Sequence, residues 1–327
     1  MKGEGVIVGI LNKNFSLSKG DLDVVSLGEI LVDMISTEEV NSLSQSREYT
    51  RHFGGSPANI AVNLSRLGKK VALISRLGAD AFGNYLLDVL KGEQIITDGI
   101  QQDKERRTTI VYVSKSTRTP DWLPYREADM YLQEDDIIFE LIKRSKVFHL
   151  STFILSRKPA RDTAIKAFNY AREQGKIVCF DPCYRKVLWP EGDDGAGVVE
   201  EIISRADFVK PSLDDARHLF GPDSPENYVK RYLELGVKAV ILTLGEEGVI
   251  ASDGEEIIRI PAFSEDAVDV TGAGDAFWSG FICGLLDGYT VKRSIKLGNG
   301  VAAFKIRGVG ALSPVPSKED IIKEYNI

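Results

Sequence analysis

In this chain of 327 residues, the stretch whose residue types come nearest to chemistry is Asp269-Val270-Thr271-Gly272-Ala273-Gly274-Asp275-Ala276-Phe277. Gly272 and Gly274 allow a tight turn whose amide N–H groups converge on one point. The apolar run that follows predicts a helix whose positive dipole end faces the same point. Such a place binds an anion, most often a phosphate. Asp275 at its lip would weaken simple retention of a phosphate, so it fits better as the group that takes a proton from a nucleophile while the phosphoryl group moves. Gly-x-Gly by itself is weak, since it recurs by chance in α/β proteins. The dinucleotide fingerprint fails at Phe277, and a Walker A loop fails because no Gly-Lys-Ser/Thr follows the glycines.

Several other residues stand where chemistry is possible. Asp33 ends the apolar run after Gly28, and a turn or edge residue is its bland alternative. In Gly54-Gly55-Ser56-Pro57-Ala58-Asn59, two glycines, a cap-type Ser and a Pro announce a helix. Asn59 falls in the first turn of that helix, within reach of a ligand over the glycines. Asp181-Pro182-Cys183-Tyr184-Arg185 follows a buried run; Arg185 could meet a phosphate or a polar substrate, or could pair with Asp181. Thr243-Leu244-Gly245 with Gly248 closes another strand with a tight turn.

The elements that must position these residues alternate. Strand-like runs at 22–27, 71–74, 147–150, 177–180, 208–209 and 239–242 are separated by helix-like segments at 85–90, 160–173, 198–204 and 228–235. This rhythm predicts an α/β fold with a mainly parallel central sheet sandwiched by helices. Ligands of such sheets collect at the C-terminal strand ends, and Asp33, Asp181, Thr243 and Asp275 all follow apolar strand-like runs. Residues 36–52, together with strands at 108–113 and 122–125 joined by the polar turn 114–120, predict a small β lid standing off the main body. The expected organisation is an N-terminal extension (1–20), a core (21–35, 53–106 and 129–327) and a lid (36–52 and 107–128).

Composition excludes several classes. With 41 basic against 48 acidic residues and no basic run, nucleic acid is not an expected partner. No apolar segment reaches the roughly 18 residues that span a bilayer, so no membrane association is expected. The N-terminus lacks a basic region before a long apolar stretch, so a cytoplasmic location is expected. Cys179, Cys183 and Cys283 suit neither a disulfide framework nor a zinc site and read as buried small hydrophobes. His149, inside the apolar run 147–150, reads as a satisfied core residue.

Taken together, the Gly54-Gly55-Ser-Pro-Ala-Asn59 segment with Gly68, the Asp-Pro-x-x-Arg segment, Thr243-Leu-Gly-x-x-Gly248 and Asp269-x-Thr-Gly-Ala-Gly-Asp275 occur in the order and approximate spacing of the ribokinase-like (PfkB) sugar kinase family. The resemblance covers about residues 23–316. It implies ATP-dependent phosphorylation of a sugar hydroxyl under a β lid. Asp275 then resembles the family's base, and Gly272, Ala273 and Gly274 its anion hole. Asp33, Gly55 and Asn59 match sugar-binding positions, Thr243, Gly245 and Gly248 the nucleotide-side turn, and Asn299 the adenine-site residue. Asp269 and Thr271 resemble positions that hold a monovalent cation, potassium, in many members. Where the family has Asn-x-x-Glu near magnesium, this chain has Lys210-Pro211-Ser212-Leu213-Asp214-Asp215, which makes Ser212 and Asp215 the candidate Mg2+ shell, with an altered donor set.

The segments 124–129 and 181–190 resemble bacterial fructokinases of this family most closely, with Arg126 expected to project from the lid toward the substrate beside Arg185. The implied reaction takes D-fructose to fructose 6-phosphate. Two arginines would also suit the carboxylate of 2-keto-3-deoxygluconate, so that kinase remains an alternative, as do nucleoside and aminoimidazole riboside kinases. A kinase-like protein that has lost catalysis and acts as a regulatory partner is the alternative of another class. The half-apolar hairpin around Trp122 is compatible with a homodimer through the lid.

Overall fold

The computed structural model describes residues 9–115, 121–263 and 267–327. The N-terminal half carries β1 (Val24–Leu27), β2 (Leu31–Glu39), β3 (Tyr49–Gly54), α1 (Ser56–Arg66), β4 (Val71–Gly78), α2 (Ala81–Gly92), β5 (Ile100–Asp103), β6 (Ile110–Lys115), β7 (Trp122–Tyr125), α3 (Asp136–Arg144) and β8 (Val147–Ser151). There follow α4 (Ala160–Glu173), β9 (Ile177–Asp181), α5 (Gly195–Arg205), β10 (Phe208–Val209), α6 (Leu213–Phe220), α7 (Pro225–Glu234) and β11 (Ala239–Thr243). The chain closes with β12 (Val249–Ser252), β13 (Ile257–Ile260), α8 (Ala273–Leu286), α9 (Val291–Lys305) and α10 (Lys318–Tyr325).

Nine strands form the central sheet in the order β13-β12-β11-β10-β9-β8-β1-β4-β5. All neighbours from β11 to β5 are parallel, while β12 and β13 add an antiparallel edge. Both faces are covered, which is why these strands read as continuous apolar runs. Alternate residues feed opposite cores: Val24, Val147, Ile177 and Ala239 enter one, Val25, Phe148, Val178 and Val240 the other. The first core is dominated by α8, whose residues 276–285 are all buried. There Trp278 stacks on Phe281 at 4.7 Å, and Phe281 meets Phe208 edge-on at 5.3 Å. Each such side chain contributes about 1.5–3 kcal/mol by leaving water, and this fixes the helix that carries Asp275.

The small sheet has the order β3-β2-β6-β7, with β2 parallel to β6 and the other neighbours antiparallel. β2 leaves the core as it runs, from buried Leu31 and Val32 to exposed Glu38 and Glu39. The sheet therefore takes in residues 31–35 and 53–54, which the sequence reading assigns to the core, and Asp33 belongs to it. The expected turn at 114–120 lies partly outside the described residues.

The described part of the N-terminal extension is docked. Leu11 is fully buried, its N–H donates to Asp253 Oδ2 at 3.1 Å, and Phe15 meets Phe208 edge-on. Two core expectations need correction. Cys183 is exposed, because it follows the end of β9 in the loop 182–185, beyond the covered sheet. His149 is buried but half satisfied, with Nδ1 bonded to Ser26 Oγ and Nε2 without a partner among the described residues; burial pushes it down to about 3, so it is neutral. No described helix is long and apolar enough to cross a membrane.

Candidate active site

Asp275 lies in the first turn of α8, behind Gly272, whose φ of +76° is the left-handed conformation that lets the loop turn into the helix. A correction follows: Asp275 stands on a helix N-terminus after the loop 267–272, and it does not end a strand. Its carboxylate is held from across the molecule. Oδ1 accepts from Ser56 Oγ at 2.7 Å and Oδ2 from Asn59 Nδ2 at 2.9 Å. Both donors sit at the start of α1, where Gly55 at φ +100° passes so close to Glu29 that a Cβ would meet its carbonyl oxygen at 2.5 Å. Burial raises the Asp275 carboxyl above the ordinary range, opposed by those two hydrogen bonds and by Lys210 and Lys305. Asp33 approaches from β2 and lies against Gly54. Burial first, then the Asp275 charge, push it up to about 7.

Lys210 completes this centre. It follows β10 directly, is 4% exposed, and stands 3.2 Å from Asp181 Oδ2. Its Nζ would lie 3.5 Å from a Cβ placed on Gly274, so a buried ammonium faces the turn expected to form the anion hole. Burial works against its charge, yet Asp181, Asp215 and Asp275 raise its affinity for a proton and keep it cationic. An ammonium, amides at a helix N-terminus and a carboxylate with a raised proton affinity thus converge. This set can hold a transferring anion and remove a proton beside it. Residues 21–318 match the pfkB family carbohydrate kinase over most of the chain. The chain belongs to this family.

Among known pfkB carbohydrate kinases, this chain is similar to the structure of Halothermothrix orenii fructokinase, at 97% identity and a TM-score of 0.79, covering 87% of this chain and all of that one. An ATP-dependent 6-phosphofructokinase of Thermoanaerobacterium thermosaccharolyticum is 42% identical, over 93% of this chain and 94% of its own length. A sugar kinase of Pyrococcus horikoshii, solved in complex with ATP, is 34% identical with a TM-score of 0.81, covering 92% of this chain and 97% of that one. The architecture is the ribokinase-like α/β fold: a mainly parallel sheet between helices, with a small second sheet.

Within this pfkB kinase the other predicted residues fall into three groups. Thr243, at the end of β11, pairs with Ser212 across a parallel bridge, and its N–H donates to Pro211 O. Ser212 caps α6 in a reciprocal arrangement with Asp215. Asp215 also accepts from Arg185 at 2.7 Å. Burial would raise its carboxyl, but Arg185, Lys210 and the Ser212 donors outweigh this and hold it below the ordinary range. The Asp181–Arg185 alternative is therefore not formed: Asp181 pairs with Lys210 and Arg185 with Asp215, because β9 and β10 are neighbours and set their ends side by side. Gly245 and Gly248 bound the turn after β11, and Asn299 on α9 donates to Pro261 O at 3.0 Å. That segment also passes Gly248, so turn and asparagine share one wall. Asp269 accepts the N–H groups of Thr271 and Gly310.

Arg126 behaves differently from its expectation. It does not project freely from the lid: Nη2 and Nε bond Asp129, Nη1 bonds Ser156 Oγ, and its plane lies over Phe153. Its partner Asp129 is buried, which anchors the guanidinium. Beside it, Arg157 carries a buried Nη1 without a partner among the described residues. Burial, then Arg126 and Arg161, lower its proton affinity. Sequence reasoning missed Ser56 as a partner of Asp275, and also Lys210, Glu29 and Arg157. Glu29 accepts from Ser56 N–H and Ser151 Oγ, and burial pushes it up to about 8. For Lys210 a signal existed, a cation directly after a buried strand at the end where ligands gather.

Proposed function

We infer that this carbohydrate kinase transfers the γ-phosphoryl group of ATP to the 6-hydroxyl of D-fructose. The observation that carries the reading is the Asp275 carboxylate, fixed by Ser56 and Asn59 beside an N-terminal helix turn that Lys210 faces. Asp275 takes the hydroxyl proton as the oxygen attacks. Gly272, Ala273 and Gly274 present amides, and Lys210 a full charge, to the phosphoryl oxygens as negative charge shifts in transfer. Asn59 Oδ1 is buried without a partner among the described residues and with Asp33 and Gly55 is assigned to sugar hydroxyls. Thr243, Gly245, Gly248 and Asn299 line the nucleotide side.

Magnesium is assigned to enter on the nucleotide's phosphates, where it neutralises their charge. Asp215 and Ser212 would be the residues of this chain nearest to hold such an ion, while Asp215 is already bonded to Arg185 and Ser212 at the strand end. The face of the small sheet bearing Leu43, Tyr49, Ile110, Tyr112, Leu123 and Tyr125 surrounds a concavity of about 610 Å³. It is the surface assigned to pair with a second copy of the chain, with the lid covering the sugar in each.

A second reading is supported by Arg157 beside Arg126, whose buried Nη1, without a partner among the described residues, suits an anionic group on the acceptor, either the phosphate of fructose 6-phosphate or the carboxylate of 2-keto-3-deoxygluconate. Coupled ADP release over fructose, fructose 6-phosphate, the keto acid, ribose and nucleosides separates these, with the phosphorylated position read by phosphorus NMR. Fructose is expected to give the highest kcat/KM. Preference for an anionic acceptor, lost in Arg157→Ala, would establish the second reading. No turnover on any acceptor would leave a regulatory binding protein.

A further inference from the structure

Lys305 ends α9 and is 0% exposed, yet its Nζ has no hydrogen-bond partner among the described residues. A buried ammonium without a partner is costly, and methionine would fill the same space at less cost. Something near it must repay the charge. The two loops that build the anion hole are stitched together beside this residue. The N–H groups of Val268 and Asp269 donate to Ile306 O at 2.8 and 3.2 Å, Gly310 N–H donates to Asp269 Oδ2 at 2.7 Å, and Ser313 Oγ donates to Lys305 O at 2.9 Å. Gly272 packs against Ala311, where a Cβ would lie 3.0 Å from its Cα. Lys305 thus takes part in this stitching through its carbonyl oxygen, with its side chain buried. Burial lowers its proton affinity, while Asp269 and Asp275 act on it in the opposite direction.

The resemblance implies a monovalent cation at Asp269 and Thr271, and the charges found there disfavour one. Each oxygen of the Asp269 carboxylate accepts one backbone N–H group, so part of its charge is already answered by amides while a lone pair on each stays open. A second cation would also stand close to a fixed ammonium in a site of low dielectric, where like charges repel strongly. We propose that the Lys305 ammonium is the built-in counter-cation of the anion-hole loops, doing for this chain what a bound potassium ion would do, so that the chain works without a monovalent cation. It balances Asp269, holds the loops 267–272 and 306–313 in register, and adds positive potential behind the phosphoryl group.

This proposal rests on the kinase reading, and its test has an arm that does not. Protein exchanged into tetramethylammonium salts is assayed for ADP release from ATP and fructose, and is separately melted without substrates. Both are done with and without potassium chloride at constant ionic strength. Wild type is expected to show no potassium effect in either measurement. Lys305→Met is expected to lose about fivefold or more of its turnover in tetramethylammonium and to regain part of it with potassium, which also raises its melting temperature. Lys305→Gln, polar but uncharged, is expected to behave as Lys305→Met, which separates charge from packing. Severalfold stimulation of wild type by potassium, or a potassium-dependent rise in its melting temperature, overturns the proposal. So do variants that match wild type without potassium. If neither variant folds, the two wild-type measurements decide. If no acceptor is phosphorylated, the kinase reading fails, and the melting measurements still decide the role of Lys305.

Discussion

The central sheet and the small sheet treat polar groups in opposite ways. At the ends of β9 and β10, buried charges are paired one to one, Lys210 with Asp181 and Arg185 with Asp215, and the hydroxyl and amide of α1 fix Asp275. In the small sheet the burial of β2 fades along its length, and apolar side chains face outward, with Leu123 at 48% and Tyr125 at 59% exposure. Tyr112 meets Tyr49 and Tyr125 edge-on at 5.0 and 5.8 Å, which makes a face with shape but little charge. Chemistry that needs fixed geometry is placed where packing on both sides removes freedom. The small sheet, proposed as the lid, keeps an apolar face that a second copy would complete.

That contrast is broken most severely at Asp275. Asp275→Asn should lower kcat by about 10²–10⁴-fold, the size of a lost general base, while fructose affinity measured calorimetrically stays within a few-fold of wild type. Turnover near the wild-type rate would remove Asp275 as the base. Next is Lys210→Met, which strands Asp181 in the core. A loss of about 3–5 kcal/mol in urea unfolding is expected, together with weaker ATP binding, and unchanged stability would show that the pair is not buried in solution.

The lid gives a smaller effect. Tyr125→Arg should weaken self-association by about 1–2 kcal/mol in sedimentation while leaving the melting temperature of the monomer near wild type. If wild type and variant both sediment as monomers, the lid is not an interface. The fourth effect is pH-dependent and lies where the two sheets meet. Folded Asp33 holds its proton up to about 7, against an ordinary value of 3.8. The folded state therefore binds more protons than the unfolded state between these values, and its stability falls as pH rises through this window. Asp33→Asn removes that fall. Its stability relative to wild type should improve from pH 4 to pH 8 by about 3–4 kcal/mol, read from unfolding curves at the two pH values. Parallel pH dependence of the two proteins would place Asp33 in water.

Much of this was legible because local patterns obey local physics. The run 160–173 reads as a helix and 208–209 as a strand from periodicity and length, and both form over those residues. The glycine, helix start and acid that Gly-Ala-Gly-Asp275 promises do come together at the N-terminus of α8. By contrast, α9 was hidden by its own contents. Ser294, Gly298, Asn299 and Gly300 are buried on it and blur the apolar stripe that would have revealed a helix. The partners of Arg126 were hidden for a related reason. An arginine after a lid strand looks free, and its engagement with Asp129 and Ser156 depends on where residues 128–131 and 153–156 fold back.

By itself, then, the sequence determined which chemical groups exist, the order in which they come and the alternation of elements that carries them to one edge of a parallel sheet. Each of those follows from side-chain periodicity and turn chemistry within a few residues. Tertiary structure alone decided the partners. Ser56 meets Asp275 across 219 residues, Lys210 chooses Asp181, Arg185 chooses Asp215, and Lys305 is buried at the end of α9 with no hydrogen-bond partner for its Nζ among the described residues. A charge can pair with any opposite charge brought within reach, and only the packing of distant elements fixes which one that is.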